Sequence, residues 1–159
     1  MTLVEYDETW PAKFEEHRRR IATALGERAR GIEHIGSTSV PGLAAKPIID
    51  VLVTVDDPDD EDSYLPALLA AGYELRVREP GHRMVRPPTR DANVHVWAAG
   101  SEDVRRYLAF RDRLRRSTED RDRYEAVKRS LADRDWPSRD HYARAKSDVV
   151  AEILGRAEA

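Results

Sequence analysis

A chain of 159 residues with 40% hydrophobic and 36% charged side chains is long enough for one real core and too apolar for wholesale disorder. Its formal charge of −3 argues against a general nucleic-acid coat, and the lack of cysteine excludes a disulfide framework, Cys-ligated zinc and a thiol nucleophile. The longest apolar run, near 48–55, is broken by Asp50 and is too short to cross a bilayer; with no secretory signal in the first residues, a soluble cytoplasmic protein is expected.

Along the chain, Thr9 is the expected cap of a first helix, with Pro11 in its first turn and an apolar stripe of Trp10, Phe14, Ile21 and Leu25. A short strand follows near 30–35, then a Gly/Ser/Pro-rich segment, Gly36 to Leu43. The β-branched run 47–55 reads as a strand in the middle of a covered sheet. The acidic block 56–62 is a loop leading into a helix at about 63–71, stopped by Gly72. Three shorter strands, expected to be antiparallel, fall at 73–78, 82–86 and 93–98. Helices are expected at 102–116, 119–133 and 138–157, with Ser138 as the last cap. This order implies one domain over 1–159: an α/β core to about residue 100 and a helical tail packed on it.

The segment carrying most chemistry is His34-Ile-Gly-Ser-Thr-Ser-Val-Pro-Gly-Leu-Ala-Ala-Lys-Pro-Ile-Ile-Asp50. Small residues after a strand leave backbone N–H groups open to a phosphate; Ser37, Thr38 and Ser39 add hydroxyls, and Lys46 adds a cation. Asp50 shares a strand face with Leu52 and Thr54, and a carboxylate there needs a partner or a metal. Read as residues alone, the same segment also fits a plain turn in which Asp50 caps a neighbouring loop.

Gly36-Ser37, twelve residues and then Asp50 on an apolar strand resemble the layout of polymerase-beta-type nucleotidyltransferases. The wording of this segment, with Asn93-Val-His-Val96, Leu108 to Leu114, Tyr124 to Lys128 and Tyr142 to Lys146, resembles the GrpB family over nearly the whole chain. The resemblance implies an α/β (α+β) fold, a nucleotidyltransferase-like mixed sheet with flanking helices and a C-terminal helical segment. It also implies a site in which Gly36 and Ser37 position phosphates and Asp50 holds a divalent metal. The larger superfamily uses Asp-x-Asp/Glu for two metals, and here the second position is Leu52.

His95, on the face shared by Asn93 and Trp97, is the candidate to replace the missing ligand or act as base, if its strand lies beside that of Asp50. His34 is a second candidate ligand. Magnesium or manganese is expected, with imidazole favouring manganese or, less so, zinc; no organic cofactor is evident. Among His82-Arg83 and Arg86, which precede His95, an arginine is a candidate contact for a triphosphate or a carboxylated substrate, with exposed turn residues as the alternative; Arg83 is preferred through the resemblance. Arg111, Lys128 and Lys146 fall on apolar helical stripes, Lys146 beside Tyr142, and are expected to converge over the core as anion-binding residues. Their alternative use is ordinary snorkelling along apolar surface.

Two functions follow as expectations. One is transfer of a nucleotidyl group from NTP to an unidentified acceptor; the other is a catalytically degenerate module that binds a nucleotide or another anion in an accessory role. The expected partners are therefore small and anionic, with no membrane and no nucleic acid.

Overall fold

The computed structural model describes residues 3–132 and 147–155. Helix α1 spans Trp10–Leu25 and buries Trp10, His17, Ile21 and Leu25 along one face. Thr9 does not cap it. The Asp7 carboxylate accepts from both the Thr9 amide, 2.8 Å, and its hydroxyl, 2.7 Å, so the hydroxyl is turned back from the helix. Strands β1, Gly31–Ile35, and β2, Ile49–Val55, are followed by α2, Leu65–Ala70. Then come β3, Glu74–Glu79, β4, His82–Arg86, and β5, Ala92–Ala98. Helices α3, Glu102–Arg116, and α4, Thr118–Ala132, complete the named elements, and residues 147–155 are helical. Within the described residues the expected helices and strands recur with bounds shifted by a residue or two; of the helix expected at 138–157, residues 147–155 are helical, and its expected cap Ser138 lies outside the described residues.

The strands form one five-stranded mixed sheet in the order β1-β2-β5-β4-β3. Adjacent pairs are antiparallel except β2 and β5, which run parallel. That parallel pair needs a long crossover, supplied by α2 and the β3–β4 hairpin. Strand β2 therefore lies inside the sheet, which is why its sequence is nearly continuous in apolar residues.

One face of the sheet presents Ile49, Val51, Val53, Val85, Val94 and Val96 to α1 and α2. Val51 and Val53 have no exposure, and each such side chain contributes roughly 1.5–3 kcal/mol on leaving water. The opposite face carries Asp50, Leu52, Asn93, His95 and Trp97, an assignment fixed by strand alternation and register. Leu52 is fully buried there with Ile35 and Val104, beside Leu108. A third cluster joins Val40 and Leu43 to Leu114, Tyr124, Val149 and Ile153, pinning the Gly/Ser-rich segment beneath the helical tail.

The acidic block is fastened to the hairpin. Glu61 accepts from Arg78 Nε at 2.6 Å and Arg83 Nε at 2.5 Å, and Arg83 also reaches Asp59 at 3.2 Å. These guanidiniums hold the Glu61 carboxyl down at about 2, with Arg78 the larger influence. Among the described residues no helix is long and apolar enough to cross a membrane.

Candidate functional site

The face opposite α1 and α2 opens into a cavity of about 410 Å³ between the sheet and the helical tail. Gly36, Ser37, Asp50 and His95 line one side; Tyr107, Phe110, Arg111 and Tyr124 line the helical side. Two sequence features bring the first group together. Parallel pairing of β2 with β5 sets Asp50 opposite Asn93 and Leu52 opposite His95, so both site residues project from the same face. The turn after β1 then folds Gly36 directly against Asp50.

Gly36 has φ 75° and ψ −178°, a region essentially reserved for glycine. A Cβ at this position would stand 2.5 Å from Asp50 Oδ2 and 3.0 Å from Asp50 Cβ. The glycine is therefore required twice, by its backbone and by the carboxylate beside it. Ser37 accepts from Lys128 Nζ at 2.6 Å, which delivers a buried ammonium from α4 to the turn. The same ammonium lies 5.3 Å from the centroid of the Tyr124 ring. An anion entering over Ser37 would meet a cation, a hydroxyl and an aromatic wall.

Asp50 and His95 approach one another, with Oδ1 3.6 Å from Nε2. On its other side His95 Nδ1 is 3.2 Å from His82 Nε2, and His82 Nδ1 is 2.6 Å from Glu79 Oε1. His82 is also stacked on Trp97, centroids 4.3 Å apart. The His95 ring is thus held edgewise by a chain of polar groups leading away from the cavity.

Several expected contacts fall elsewhere. His34 projects from the other side of the sheet, opposite Val51, where it stacks on Phe14 at 4.8 Å and pairs with Thr38 Oγ1 at 2.9 Å. Burial, seconded by Arg115, pushes its imidazole down to about 4. It cannot join Asp50 and His95 around one ion. Thr38 is occupied by that contact, and the Ser39 hydroxyl donates to the Gly36 carbonyl at 2.5 Å, so both shape the turn. Lys46 is exposed on the connection to β2 and is not part of the lining. Arg83 projects with Val96 towards the opposite face and is engaged by Glu61 and Asp59. Arg111 does line the cavity, but its guanidinium contacts Glu33, 2.7 Å, the His34 carbonyl, 3.2 Å, and Asp112, 2.9 Å. Tyr142 and Lys146 lie outside the described residues.

The donors present do not fit a paired-ion centre. Leu52 occupies the second acidic position and is sealed under α3, and among the described residues no three His, Asp or Glu side chains gather as a metal set. A single divalent cation fits the chemistry of Asp50, a partly exposed carboxylate facing a cavity large enough for water and phosphate oxygens to fill the remaining positions.

The profile of the GrpB protein family matches residues 1–156. The chain belongs to the GrpB family. A UPF0157 protein of Streptomyces coelicolor is 56% identical to this GrpB chain, across 99% of it and 84% of the relative. The crystal structure of the conserved protein GrpB from Enterococcus faecalis superposes with a TM-score of 0.83 at 33% identity, covering 99% of this chain and all of that one. The structure of the GLD-2/RNP-8 complex, with a nucleotidyltransferase fold, matches at a TM-score of 0.59 and 15% identity, over 95% of this chain and 60% of that one. This second likeness shows the fold alone, and the GrpB chain accordingly has a nucleotidyltransferase-like fold. A dephospho-CoA kinase of Mycolicibacterium paratuberculosis is 32% identical over 98% of the chain, which spans 45% of that relative.

Sequence reasoning missed the aromatic wall of Tyr107, Phe110 and Tyr124 and the chain of contacts that runs from Glu79 through His82 to His95. For His82 the signal was present. Strand alternation puts it on one face of β4 and Arg83 on the other, and only the strand order was needed to choose between them.

Proposed function

We propose that this chain transfers a nucleotidyl group from a nucleoside triphosphate to an acceptor. The observation that carries the reading is the meeting of Asp50, His95 and the Gly36–Ser37 turn at one cavity, with the Lys128 ammonium hydrogen-bonded to the Ser37 hydroxyl of that turn. In this reading the acceptor oxygen forms its bond to the α-phosphorus as the bond to the bridging α–β oxygen breaks. Pyrophosphate leaves with that electron pair, and the acceptor proton passes to Nε2 of His95. Lys128 neutralises the phosphates, and the Ser37 hydroxyl and nearby backbone hold them. The base of the nucleotide lies against Tyr107 and Tyr124. Asp50 would hold one divalent cation, which would supply charge stabilisation to the phosphates.

A second reading, a nucleotide-binding module without transfer, is supported by the burial of Leu52 where a second carboxylate belongs. The kinship with part of a dephospho-CoA kinase favours the same accessory role. Calorimetric titration of nucleoside triphosphates with magnesium, with manganese and without metal separates the two. Metal-dependent binding abolished by Asp50→Ala supports the transferase, and metal-independent binding supports the module. Absence of binding in every arm contradicts both.

A further inference from the structure

We infer that Glu79 and His82 are positioning residues that fix the tautomer of His95, so that its Nε2 faces Asp50 and the cavity with a free electron pair. This deepens the reading of His95 as the group that accepts the acceptor's proton, and rests on it.

Glu79-Pro80-Gly81-His82 closes the β3–β4 hairpin, with Gly81 at φ 75°; proline followed by glycine at positive φ are the residues a type II turn demands. Glu79 and His82 are therefore cross-strand partners. His82 pairs in turn with Trp97 across to β5, and Met84 pairs with His95. Glu79, His82 and His95 consequently share the cavity side of the sheet, although Glu79 sits at its outer, half-exposed margin.

Donor and acceptor requirements then propagate inward. A carboxylate oxygen can only accept, so the 2.6 Å contact with Glu79 puts the proton of neutral His82 on Nδ1. His82 Nε2 is then an acceptor. The 3.2 Å contact that it makes requires a proton on His95 Nδ1, which leaves His95 Nε2 unprotonated. Asp50 would favour the opposite tautomer, but at 3.6 Å its oxygen lies beyond hydrogen-bond distance, whereas both outer contacts lie within it. Stacking of His82 on Trp97, interplanar angle 14°, restricts rotation of the ring that passes the preference along, and holds it within 12° of parallel to the His95 ring that it meets edge to edge. A surface carboxylate thus selects which nitrogen of a site histidine is available for chemistry.

The test is the long-range nitrogen–proton correlation spectrum of the imidazole side chains, recorded on the nucleotide-free protein at pH 8. His95 is assigned by its loss in His95→Gln. The wild-type spectrum is expected to show His95 protonated at Nδ1 and bare at Nε2, with His82 protonated at Nδ1. In Glu79→Ala, a change at a half-exposed side chain, His82 is released to donate through Nε2, and His95 is expected to move to the Nε2–H form. A wild-type His95 carrying its proton on Nε2, or on both nitrogens, would overturn the inference. So would a Glu79→Ala spectrum with His95 unchanged. No nucleotide enters the measurement, so failure here is distinct from failure of the nucleotidyl-transfer reading.

Discussion

Replacing Gly36 by alanine probes the joint between the turn and the carboxylate. The backbone there lies in the region close to glycine-only, where another residue costs roughly 1–3 kcal/mol. The new Cβ also meets Asp50 Oδ2 at 2.5 Å and Asp50 Cβ at 3.0 Å, so the carboxylate or the turn must shift. Together these give an expected loss of about 2 kcal/mol or more in Gly36→Ala, which for a chain of this size lowers the thermal midpoint by about 4–8 °C. The Asp50→Ala background removes the Oδ2 contact and leaves the backbone strain and the Cβ contact. The same Gly36→Ala step should therefore lose about 1 kcal/mol less there, a coupling that a double-mutant cycle by urea denaturation resolves. A Gly36→Ala protein within about 0.5 kcal/mol of wild type, in the range of neutral surface changes, would refute the argument. Equal losses in both backgrounds would show that the carboxylate does not press on the turn.

Acid should weaken the fold through His34. Its folded value of about 4 lies below the ordinary 6.5, so the unfolded chain binds more protons between these limits. The stabilisation is complete above about pH 6.5 and declines as pH falls towards 4, amounting to about 2 kcal/mol lost by pH 5. Denaturation midpoints of wild type and His34→Gln at pH 7.5 and 5 isolate this share from that of His17, which burial also lowers; an identical pH response in the two proteins would contradict it. Leu52→Asp, which restores the second acidic position, should destabilise by about 3–5 kcal/mol because the carboxylate replaces an apolar side chain sealed with Ile35 and Val104. A variant as stable as wild type would mean that this position opens to the cavity.

The sequence made most elements readable because their signals are local. The β-branched run around Val51 and Val53, the Gly72 stop after α2 and the helical stripes of α3 and α4 each announce themselves over a few residues. The Asp50–His95 meeting was legible only as a condition, since it depends on β5 lying beside β2. Arg83 illustrates the opposite case. A cation in a family-like stretch looked suited to a triphosphate, yet alternation sends it to Glu61 on the far side. His34 likewise stands two residues before Gly36 but on the other face of the sheet. The aromatic wall carries no local signal, because only the packing of the tail over the sheet turns Tyr107, Phe110 and Tyr124 towards a cavity.

Titration of nucleoside triphosphates into wild type, Asp50→Ala and Lys128→Met, each with manganese and without, tests the central claim most directly. Saturable binding that needs the metal, disappears with Asp50 and weakens at least tenfold with Lys128 is the predicted result, the tenfold loss corresponding to about 1.4 kcal/mol of phosphate contact. Failure of every triphosphate to bind the wild-type protein would contradict the claim.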